Sequence, residues 1–425
     1  MGATAKPPHV VIVGGGFAGL YAACALARGD VRITLLDRRN YHEFQPLLYQ
    51  VATAGLAPGE IAAPIRHVLM SCRHAQVLLA EVQGIDLRRQ VVRSDAGEFP
   101  YDYLLLATGA RHSYFGHPEW ERFAPGLKSL EDALEIRRRI LMAYELAERT
   151  SDPQERQALL HFVVVGGGAT GVELAGAIAE ISHETLRRDF RRIDPARSRV
   201  CLVEAGDRVL RAFPRALSLQ AERALRRMGV NLILGTHVDD VTAQGVRLGG
   251  QFLPARTILW AAGVEASSLG ASISAERDRS GRVRVAADLS VPGHPEVFLA
   301  GDIALVEGAH GEPLPGIAPV AIQEGILAAE NILARARGER ARPFCYHDRG
   351  MLATIGRSQA VAKLGRFHLH GFPAWVVWLF VHILYLIGFG NRVAILWRWT
   401  LAYLTFERAD RLITESPPPG QPESR

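Results

Sequence analysis

The chain has 425 residues, of which 48% are hydrophobic and 22% charged, and its formal net charge is +5 at pH 7. This length exceeds the roughly 250–300 residues over which one hydrophobic core grows, so two or three folded domains are expected. The positive charge is spread over many arginines without a long basic run, which excludes nucleic acid as an expected partner.

Cysteine usage and the start of the chain narrow the class of protein further. The four cysteines lie far apart, with no Cys-x-x-Cys pair and no Cys/His group at metal-ligand spacing. A disulfide framework, a zinc site and an iron–sulfur cluster are therefore not expected, and no metal is predicted. A β-rich run begins within ten residues of the start, which leaves no room for a secretory signal and predicts a chain that begins in the cytoplasm.

The first predicted elements are a strand, a glycine turn and a helix. The apolar run His9–Val13 is followed by Gly14, Gly16 and Gly19, and the next strand, VRITLLD, ends on Asp37, 18 residues beyond Gly19. Glycine lets the backbone turn tightly and approach a pyrophosphate, and an acid at that strand end is placed for a ribose hydroxyl. The stretch therefore predicts a dinucleotide site.

Between residues 40 and 150 the patterns are mixed. The stretch NYHEFQPLLYQVATAGLAPGEIAAPIR is expected to hold a short helix, and the turn-bounded strands that follow it close on Thr108 and Gly109. The stretch SLEDALEIRRRILMAYELAER has an acidic start and amphipathic spacing, which predicts a long helix.

From Phe162 the strand–glycine–helix pattern restarts, with Gly166, Gly168 and Gly171. Its acid, Glu204, lies 33 residues beyond Gly171, more than the usual spacing of about 20, and the charged stretch HETLRRDFRRIDPARSR is interpreted as a lengthened crossover. Two such sites predict two ligands, because a flavin reaction needs a bound FAD and a separate nicotinamide. Glu204 would accept both ribose hydroxyls of NADH and repel the 2′-phosphate of NADPH, so NADH is the predicted coenzyme.

Later segments assign the two ligands to the two sites. ILWAAGV resembles LLLATGA, since both are apolar runs that end in small residues. VFLAGDIA is expected to be a strand that ends on Asp302, and a helix is predicted from Pro319 to Arg337. A strand ending in Gly-Asp resembles the second FAD fingerprint of flavoproteins with two dinucleotide folds. This resemblance assigns FAD to the first glycine site and NADH to the second.

The last apolar stretch, Phe372–Phe389, contains no charged residue. As a helix its 18 residues would span about 27 Å, at the lower edge of what crosses a bilayer. Four of the six tryptophans lie between Trp375 and Trp399, with arginines beyond, a pattern typical of a segment at the membrane interface. An anchor that dips into the membrane is favoured, and a transmembrane span, a buried helix and a dimer face stay open as alternatives.

Several stretches together resemble one family. NYHEFQPLLYQVATAGL, YFGHPEWERFAPGLKSLEDALEIRRRIL, GGGATGVELAG and APVAIQEG are similar to the type II NADH dehydrogenases, the single-subunit NADH:quinone oxidoreductases of respiratory membranes. The resemblance, which runs from about Val10 to Ile413, implies non-covalent FAD, hydride transfer from NADH and electron delivery to ubiquinone or menaquinone without proton pumping. It also implies a monotopic protein on the cytoplasmic face of the cell membrane, in contact with the lipid bilayer surface, and leaves a homodimer open.

The predicted fold class is α/β, with two Rossmann-like dinucleotide-binding domains, the NAD domain inserted in the FAD domain, and a C-terminal membrane-anchoring helical region. The predicted boundaries are 1–115 and 290–345 for the FAD domain, 155–289 for the NAD domain, 346–415 for the membrane-associating region and 416–425 for a disordered tail.

The resemblance also assigns site residues. Glu173 is placed near the nicotinamide and the flavin N5, although a glutamate in the first turn of a helix could serve only to complement the helix dipole. Gln323 matches the second Gln of the A-Q-x-A-x-Q motif near the quinone, whereas Pro319 stands where the family has its first Gln, which leaves the quinone contacts open. The residues predicted to bind FAD are Gly14, Gly15, Gly16, Phe17, Ala18, Gly19, Asp37, Arg38, Asn40, Gln45, Val82, Thr108, Gly109, Asp302 and Val320. The residues predicted to bind NAD are Gly166, Gly168, Thr170, Gly171, Glu173, Glu204 and Gly263.

Other functions fit parts of the sequence. Sulfide:quinone oxidoreductases use several cysteines beside the flavin, and the dispersed Cys201 and Cys345 argue against that class. The segment FQPLLYQVATAGL lacks the cysteine pair of flavin disulfide reductases. A soluble NADH:acceptor reductase is disfavoured by the apolar, Trp-rich tail. Nothing in the sequence decides against a non-catalytic membrane flavoprotein that senses NADH.

Overall fold

The computed structural model describes residues 6–308, 311–386, 393, 395–397 and 410–413. By its internal contacts the chain divides into two compact units. The first comprises the residues up to Glu43 together with Ala62–Arg111 and Val264–Arg349, and the second comprises Phe44–Ile61, His112–Gly263 and the residues from Gly350 onward. The functional domain boundaries given above stay a prediction.

The first unit is built around a six-stranded sheet in which five strands run parallel. From edge to edge the strands are Ser290–Val291, His294–Leu299, Tyr103–Leu106, His9–Val13, Arg32–Asp37 and Ala75–Leu79. The strand His9–Val13 is buried along its whole length, as expected for a parallel strand covered on both faces. The helices of this unit are Phe17–Leu26, Ile65–Val68 and Ala318–Ala336, with a 3₁₀ turn at Ser268–Ser272. This unit also has three smaller sheets. The first contains Val82–Asp86, Val91–Ser94 and Gly97–Pro100, the second contains Tyr41–Glu43 and Ala62–Pro64, and the third contains Val283–Arg284 and Ala304–Leu305.

The second unit repeats the parallel arrangement with four strands. Their order is Val230–Leu234, Arg199–Glu204, His161–Val165 and Thr257–Trp260. Two antiparallel sheets accompany it, one of Val238–Thr242, Gly245–Leu248 and Gln251–Pro254, the other of Met351–Gly356, Gln359–Leu364 and Phe367–Gly371. The helices are Leu48–Ala52, Pro58–Ile61, Leu130–Arg149, Pro153–Leu159, Ala169–Glu180, Arg215–Arg227 and Phe372–Tyr385, with short turns at Gln45–Leu47, Pro118–Trp120, Ile181–Thr185 and Pro195–Arg197. Two further short strands of the chain are Ala110–His112 and Val264–Ala266.

The predicted fold class is confirmed by these two parallel sheets, each of which carries a glycine turn and a helix after its first strand. The predicted long helix also forms, as Leu130–Arg149. Its N-cap is Ser129, whose side chain accepts a hydrogen bond from the N–H of Asp132.

Two expectations about single elements need correction. The strand expected to end on Asp302 ends at Leu299, because Gly301 adopts a φ of +78° that no regular strand continues through. The region from residue 346 begins with the antiparallel sheet Met351–Gly371 rather than with helix. The residues at the centre of its first two strands are buried, and Ser358, in the turn between these strands, has a φ of +60°.

The apolar C-terminal helix is shorter than predicted. It spans Phe372–Tyr385, which is 14 residues rather than 18, and Leu386 has an extended backbone with a ψ of 134°. The rest of the predicted stretch, Trp399 and the tail 416–425 lie outside the described residues. Within the part of the chain that the structure describes, every helix is too short or too polar to cross a bilayer.

Candidate dinucleotide sites

The first glycine turn joins the strand His9–Val13 to the helix Phe17–Leu26. Gly14 has a φ of +101°, and a Cβ on it would lie 2.4 Å from the Ala107 carbonyl oxygen. A Cβ on Gly19 would lie 1.8 Å from the Gly14 carbonyl oxygen, whereas a Cβ on Gly16 would meet no atom of the described residues within 4 Å. Gly14 and Gly19 therefore let the protein pack against itself, and Gly16 faces open space at the helix N-terminus, which no side chain caps.

Asp37 lies at the end of the neighbouring strand and contacts this turn. Its Oδ2 accepts the Gly15 N–H at 2.5 Å, and its Oδ1 accepts the Arg39 N–H at 2.7 Å. Burial raises the pKa of the carboxyl, and the two N–H groups oppose the rise. Arg38 and Asn40, in the same turn, are exposed.

Two buried polar atoms beside the turn support the fit of a dinucleotide. Among the described residues, neither Thr108 Oγ1 nor His42 Nε2 has a hydrogen-bond partner. Thr108 follows Ala107, which packs against Gly14, while Nδ1 of His42 lies 3.0 Å from the Gly15 carbonyl oxygen. Buried polar atoms nearly always have a hydrogen-bond partner, and a ligand with hydroxyl and phosphate oxygens would supply partners for these two. His42 was missed in the sequence because a lone histidine in a three-residue strand belongs to no motif.

Asp302 and Val320, also predicted to bind FAD, line one cavity of about 250 Å³ in the first unit. The adjacent Gly301 is close to the glycine-turn helix, since a Cβ on it would lie 3.6 Å from the Ala18 Cβ. Val82 lies at the start of its small antiparallel sheet, Gly109 follows Thr108 with a φ of +65°, and Gln45 belongs to the second unit. The first unit thus brings together the glycine turn, Asp37, Thr108 and the Asp302 cavity, and the role of each residue in FAD binding stays a prediction.

The second glycine turn reproduces the first in detail. Gly166 has a φ of +107°, and a Cβ on it would lie 2.7 Å from the Ala261 carbonyl carbon. A Cβ on Gly171 would lie 1.8 Å from the Gly166 carbonyl oxygen, and within the described part of the chain a Cβ on Gly168 would again meet nothing within 4 Å. Gly168 is the N-cap of the helix Ala169–Glu180, and no side chain caps that helix.

Glu204 occupies the position that Asp37 has in the first unit. Its Oε2 accepts the Gly167 N–H at 2.6 Å, and its Oε1 accepts the Gly206 N–H at 2.7 Å. The longer spacing in sequence has therefore not moved the acid, because the extra residues form the turns between Ile181 and Arg197. Gly263, the last predicted NAD residue, has a φ of +75° and lies against the ring of Phe115.

Glu173 lies in the first two turns of the helix Ala169–Glu180 and is half-buried. Its Oε1 accepts the Thr354 N–H at 3.4 Å, from the C-terminal sheet. Burial raises the pKa of its carboxyl to about 8, against the opposing effect of this hydrogen bond. Glu173 is the fifth residue of the helix, beyond the first turn in which a carboxylate complements the helix dipole best, so its position argues against a role limited to the dipole.

Gln323 and Glu324 are neighbours on the helix Ala318–Ala336 with different surroundings. The side-chain amide of Gln323 forms two hydrogen bonds to the backbone of His347. Its Nε2 donates to the His347 carbonyl at 3.1 Å, and its Oε1 accepts the His347 N–H at 3.0 Å. Glu324, which the sequence reasoning missed, is 2% exposed and lines the Asp302 cavity. Its Oε2 accepts the Gly301 N–H at 2.6 Å. Only the helical spacing of Val320 and Glu324, four residues apart, could have indicated that both face the same cavity.

Comparisons with known proteins agree with this geometry. The profile of the pyridine nucleotide-disulphide oxidoreductase family matches residues 8–325. A type II NADH:quinone oxidoreductase of Mycobacterium tuberculosis is 46% identical over 97% of this chain and 92% of its own length. Among solved structures, that of NDH2 from Plasmodium falciparum in complex with NADH superposes with a TM-score of 0.86 at 19% identity, covering 93% of this chain and 98% of that one.

The fold alone does not separate the quinone-linked classes. The sulfide:quinone oxidoreductase of Aquifex aeolicus superposes with a TM-score of 0.72 at 19% identity, covering 89% of this chain and 90% of that one. Sequence identity separates them, because the 46% match extends over nearly the whole of both chains. The chain therefore belongs to the pyridine nucleotide-disulphide oxidoreductase family and, within it, to the type II NADH:quinone oxidoreductases.

Proposed function

We propose that this protein oxidises NADH through a non-covalently bound FAD and reduces a membrane quinone without pumping protons. The observation that carries the proposal is the pair of matching glycine turns, each with an uncapped helix N-terminus and an acid hydrogen-bonded to the turn. FAD, when bound, supplies the chemistry, because it accepts a hydride from NADH and passes both electrons on.

The chain's own residues bind and orient the two ligands. The turn Gly14–Gly19 and the Thr108 hydroxyl would hold FAD, with Asp37 at the ribose and Asp302 toward the flavin end. The turn Gly166–Gly171 and Glu204 would hold NADH, and Glu173 would position the nicotinamide or exchange a proton there. The backbone of His347 uses one N–H and one oxygen lone pair of the Gln323 amide, so Gln323 would contact quinone through its second N–H or its second lone pair. Ubiquinone and menaquinone both fit this account.

We propose peripheral attachment to the cytoplasmic face of the cell membrane, and the C-terminal helix supports the contact with lipid. Phe372 is 52% exposed, Phe380 58% and Leu384 66%, and Phe367 on the preceding strand is 61% exposed. Isolated exposed apolar residues are ordinary, but several large ones on one short helix favour a lipid surface or a second copy of the chain as their cover. We propose the lipid surface, with a homodimer as the alternative.

A steady-state assay tests the function. The full chain, reconstituted with FAD on liposomes, should oxidise NADH only when a short-chain quinone is present, at one NADH per quinone. A protein that binds FAD and NADH without turnover would be a sensor, and turnover with sulfide but not NADH would place it with the sulfide:quinone oxidoreductases.

Glu173→Gln is expected to lower kcat for NADH oxidation roughly tenfold or more while FAD stays bound, because the amide copies the neutral acid but cannot exchange its proton. The wild-type carboxyl is protonated below its pKa of about 8, so the acid-dependent rate should fall as pH rises through that value. The pH profile of kcat from 6 to 10 measures this. A Gln variant that keeps both the wild-type rate and the alkaline fall would remove Glu173 from the mechanism.

Glu204 is expected to set the preference for NADH. Each of its oxygens already accepts one backbone N–H, and the remaining lone pairs suit ribose hydroxyls but repel a 2′-phosphate. We expect kcat/KM to favour NADH over NADPH about a hundredfold, and Glu204→Ala to bring the ratio near one, mainly by slowing NADH oxidation. A wild-type protein that prefers NADPH would contradict the assignment.

A further inference from the structure

One ionisable group near the FAD site has no part in the function proposed above. Glu324 is 2% exposed, the lowest exposure of any acidic residue in the described part of the chain. It lies one helical turn beyond Val320 and lines the cavity that Asp302 also lines. Its neighbour Gln323 is used to hold the His347 backbone, so the helix presents Glu324, and not Gln323, to the cavity.

The position of Glu324 is fixed by its surroundings. A Cβ on Gly325, the next residue, would lie 2.2 Å from the Ala18 carbonyl oxygen, so this helix packs directly on the backbone of the glycine-turn helix. The hydrogen bond from Gly301 to Glu324 Oε2 holds the carboxyl at the turn that precedes Asp302. Neither the helix nor the side chain is free to carry the carboxyl out to solvent.

The charged groups around Glu324 are few. Asp302 and Arg282 act on it with opposite signs, and Glu265 lines the same cavity but forms an ion pair with Arg111 at 2.7 Å. The glycine-turn helix packed against it carries only Tyr21 and Cys24 as titratable residues. Burial raises the pKa of the Glu324 carboxyl to about 8, the Asp302 carboxylate adds to the rise, and the Gly301 N–H and Arg282 oppose it.

We propose that Glu324 is a redox-linked acid. When Glu324 is ionised, the FAD bound beside Asp302 is harder to reduce, and when that FAD is reduced, Glu324 is harder to ionise. The inference rests on the proposed function, because it requires FAD in this cavity. A hydride carries two electrons and one proton, so its transfer adds one negative charge to the site. A second ionised carboxylate next to Asp302 would oppose that charge, and a neutral Glu324 does not.

Coupling of this kind is reciprocal. If ionised Glu324 makes reduction harder, reduction must make Glu324 harder to ionise, and the site then takes up an extra proton when FAD is reduced at a pH where Glu324 is charged. The proton comes from solvent and returns there on reoxidation. The net reaction, NADH + H⁺ + quinone giving NAD⁺ and quinol, is unchanged.

The test is the pH dependence of the midpoint potential of the bound flavin, measured by dye-mediated titration of the holoprotein between pH 7 and 9.5, where reduced flavin is the monoanion and oxidised flavin is neutral. Uptake of one proton per two electrons shifts the potential by about 30 mV per pH unit, and uptake of two protons doubles that slope. We expect the wild type to change from the first slope to the second as Glu324 becomes ionised. Glu324→Gln should keep the first slope throughout and match the wild-type potential near pH 7.

The control is Glu330→Gln on the same helix. Glu330 is exposed and pairs with Arg342 at 2.5 Å, so this variant should follow the wild type. A single slope in the wild type, or a steeper slope that persists in Glu324→Gln, would overturn the proposal.

If Glu324→Gln loses its flavin, two measurements on the wild type test the proposal instead. One is the slope of the midpoint potential against pH, and the other is the infrared band of a protonated carboxyl, which should grow when the flavin is reduced above pH 8. Failure of the proposed function looks different, because the wild type would then not bind FAD or would not be reduced by NADH.

Discussion

Gly14→Ala is expected to give protein that is purified without FAD. The backbone there has a φ of +101°, and the new Cβ would lie 2.4 Å from the Ala107 carbonyl oxygen and 2.8 Å from the carbonyl carbon. Strained backbone at such a φ costs about 1–3 kcal/mol, and forcing apart two packed backbones costs about as much again. The turn should open, and with it the site for the pyrophosphate. Flavin absorbance per mole of purified protein measures the loss.

Gly97→Ala is the matched control. Gly97 belongs to the same unit and has a φ of +118°, but among the residues that the structure describes a Cβ on it would meet no atom within 4 Å. This variant should carry the cost of the strained backbone alone and keep a full complement of FAD. If both variants lost FAD equally, general destabilisation rather than closure of the glycine turn would be the cause.

Gly176→Ala is expected to destabilise the second unit strongly, although alanine normally favours a helix over glycine by about 1 kcal/mol. Gly176 lies within the helix Ala169–Glu180, where a Cβ would lie 1.6 Å from the Ile355 carbonyl oxygen of the C-terminal sheet. The strand would have to move away, at a cost of roughly 3 kcal/mol or more, and the Thr354 N–H would be drawn away from Glu173.

Thermal unfolding of the FAD-loaded protein measures the effect of Gly176→Ala as a lower unfolding temperature. Gly59→Ala is the control, since Gly59 lies in the helix Pro58–Ile61 and a Cβ on it would meet no described atom within 4 Å. We expect Gly59→Ala to leave the unfolding temperature unchanged or raise it. An unaltered unfolding temperature in Gly176→Ala would show that the sheet does not pack on this helix as described.

The sequence predicts most of the two nucleotide folds, because glycine spacing, apolar strands and a terminal acid are local signals. Glu204 shows that these signals hold across an insertion, because its carboxylate accepts a hydrogen bond from the glycine turn although a long insertion precedes it. Contacts between distant segments leave no such signal. Nothing in the sequence indicates that Thr354 would hydrogen-bond to Glu173, or that the amide of Gln323 would hold the His347 backbone.

The C-terminal region shows a second limit. Its uniform apolar character predicts a long helix, but hydropathy does not report where a helix stops, and the helix ends at Tyr385. The sheet before it was missed because MLATIG and QAVAKL are short runs whose period is ambiguous between strand and helix.

We propose that the first glycine turn holds FAD and the second holds NADH. Gly16 and Gly168 distinguish the two turns, because a Cβ on either meets no atom of the described residues within 4 Å and would obstruct a ligand. The measurement is the flavin content of purified Gly16→Ala and Gly168→Ala. We expect Gly16→Ala to retain much less FAD than the wild type, and Gly168→Ala to retain all of it while its KM for NADH rises. Loss of flavin from Gly168→Ala with full retention in Gly16→Ala would contradict the account.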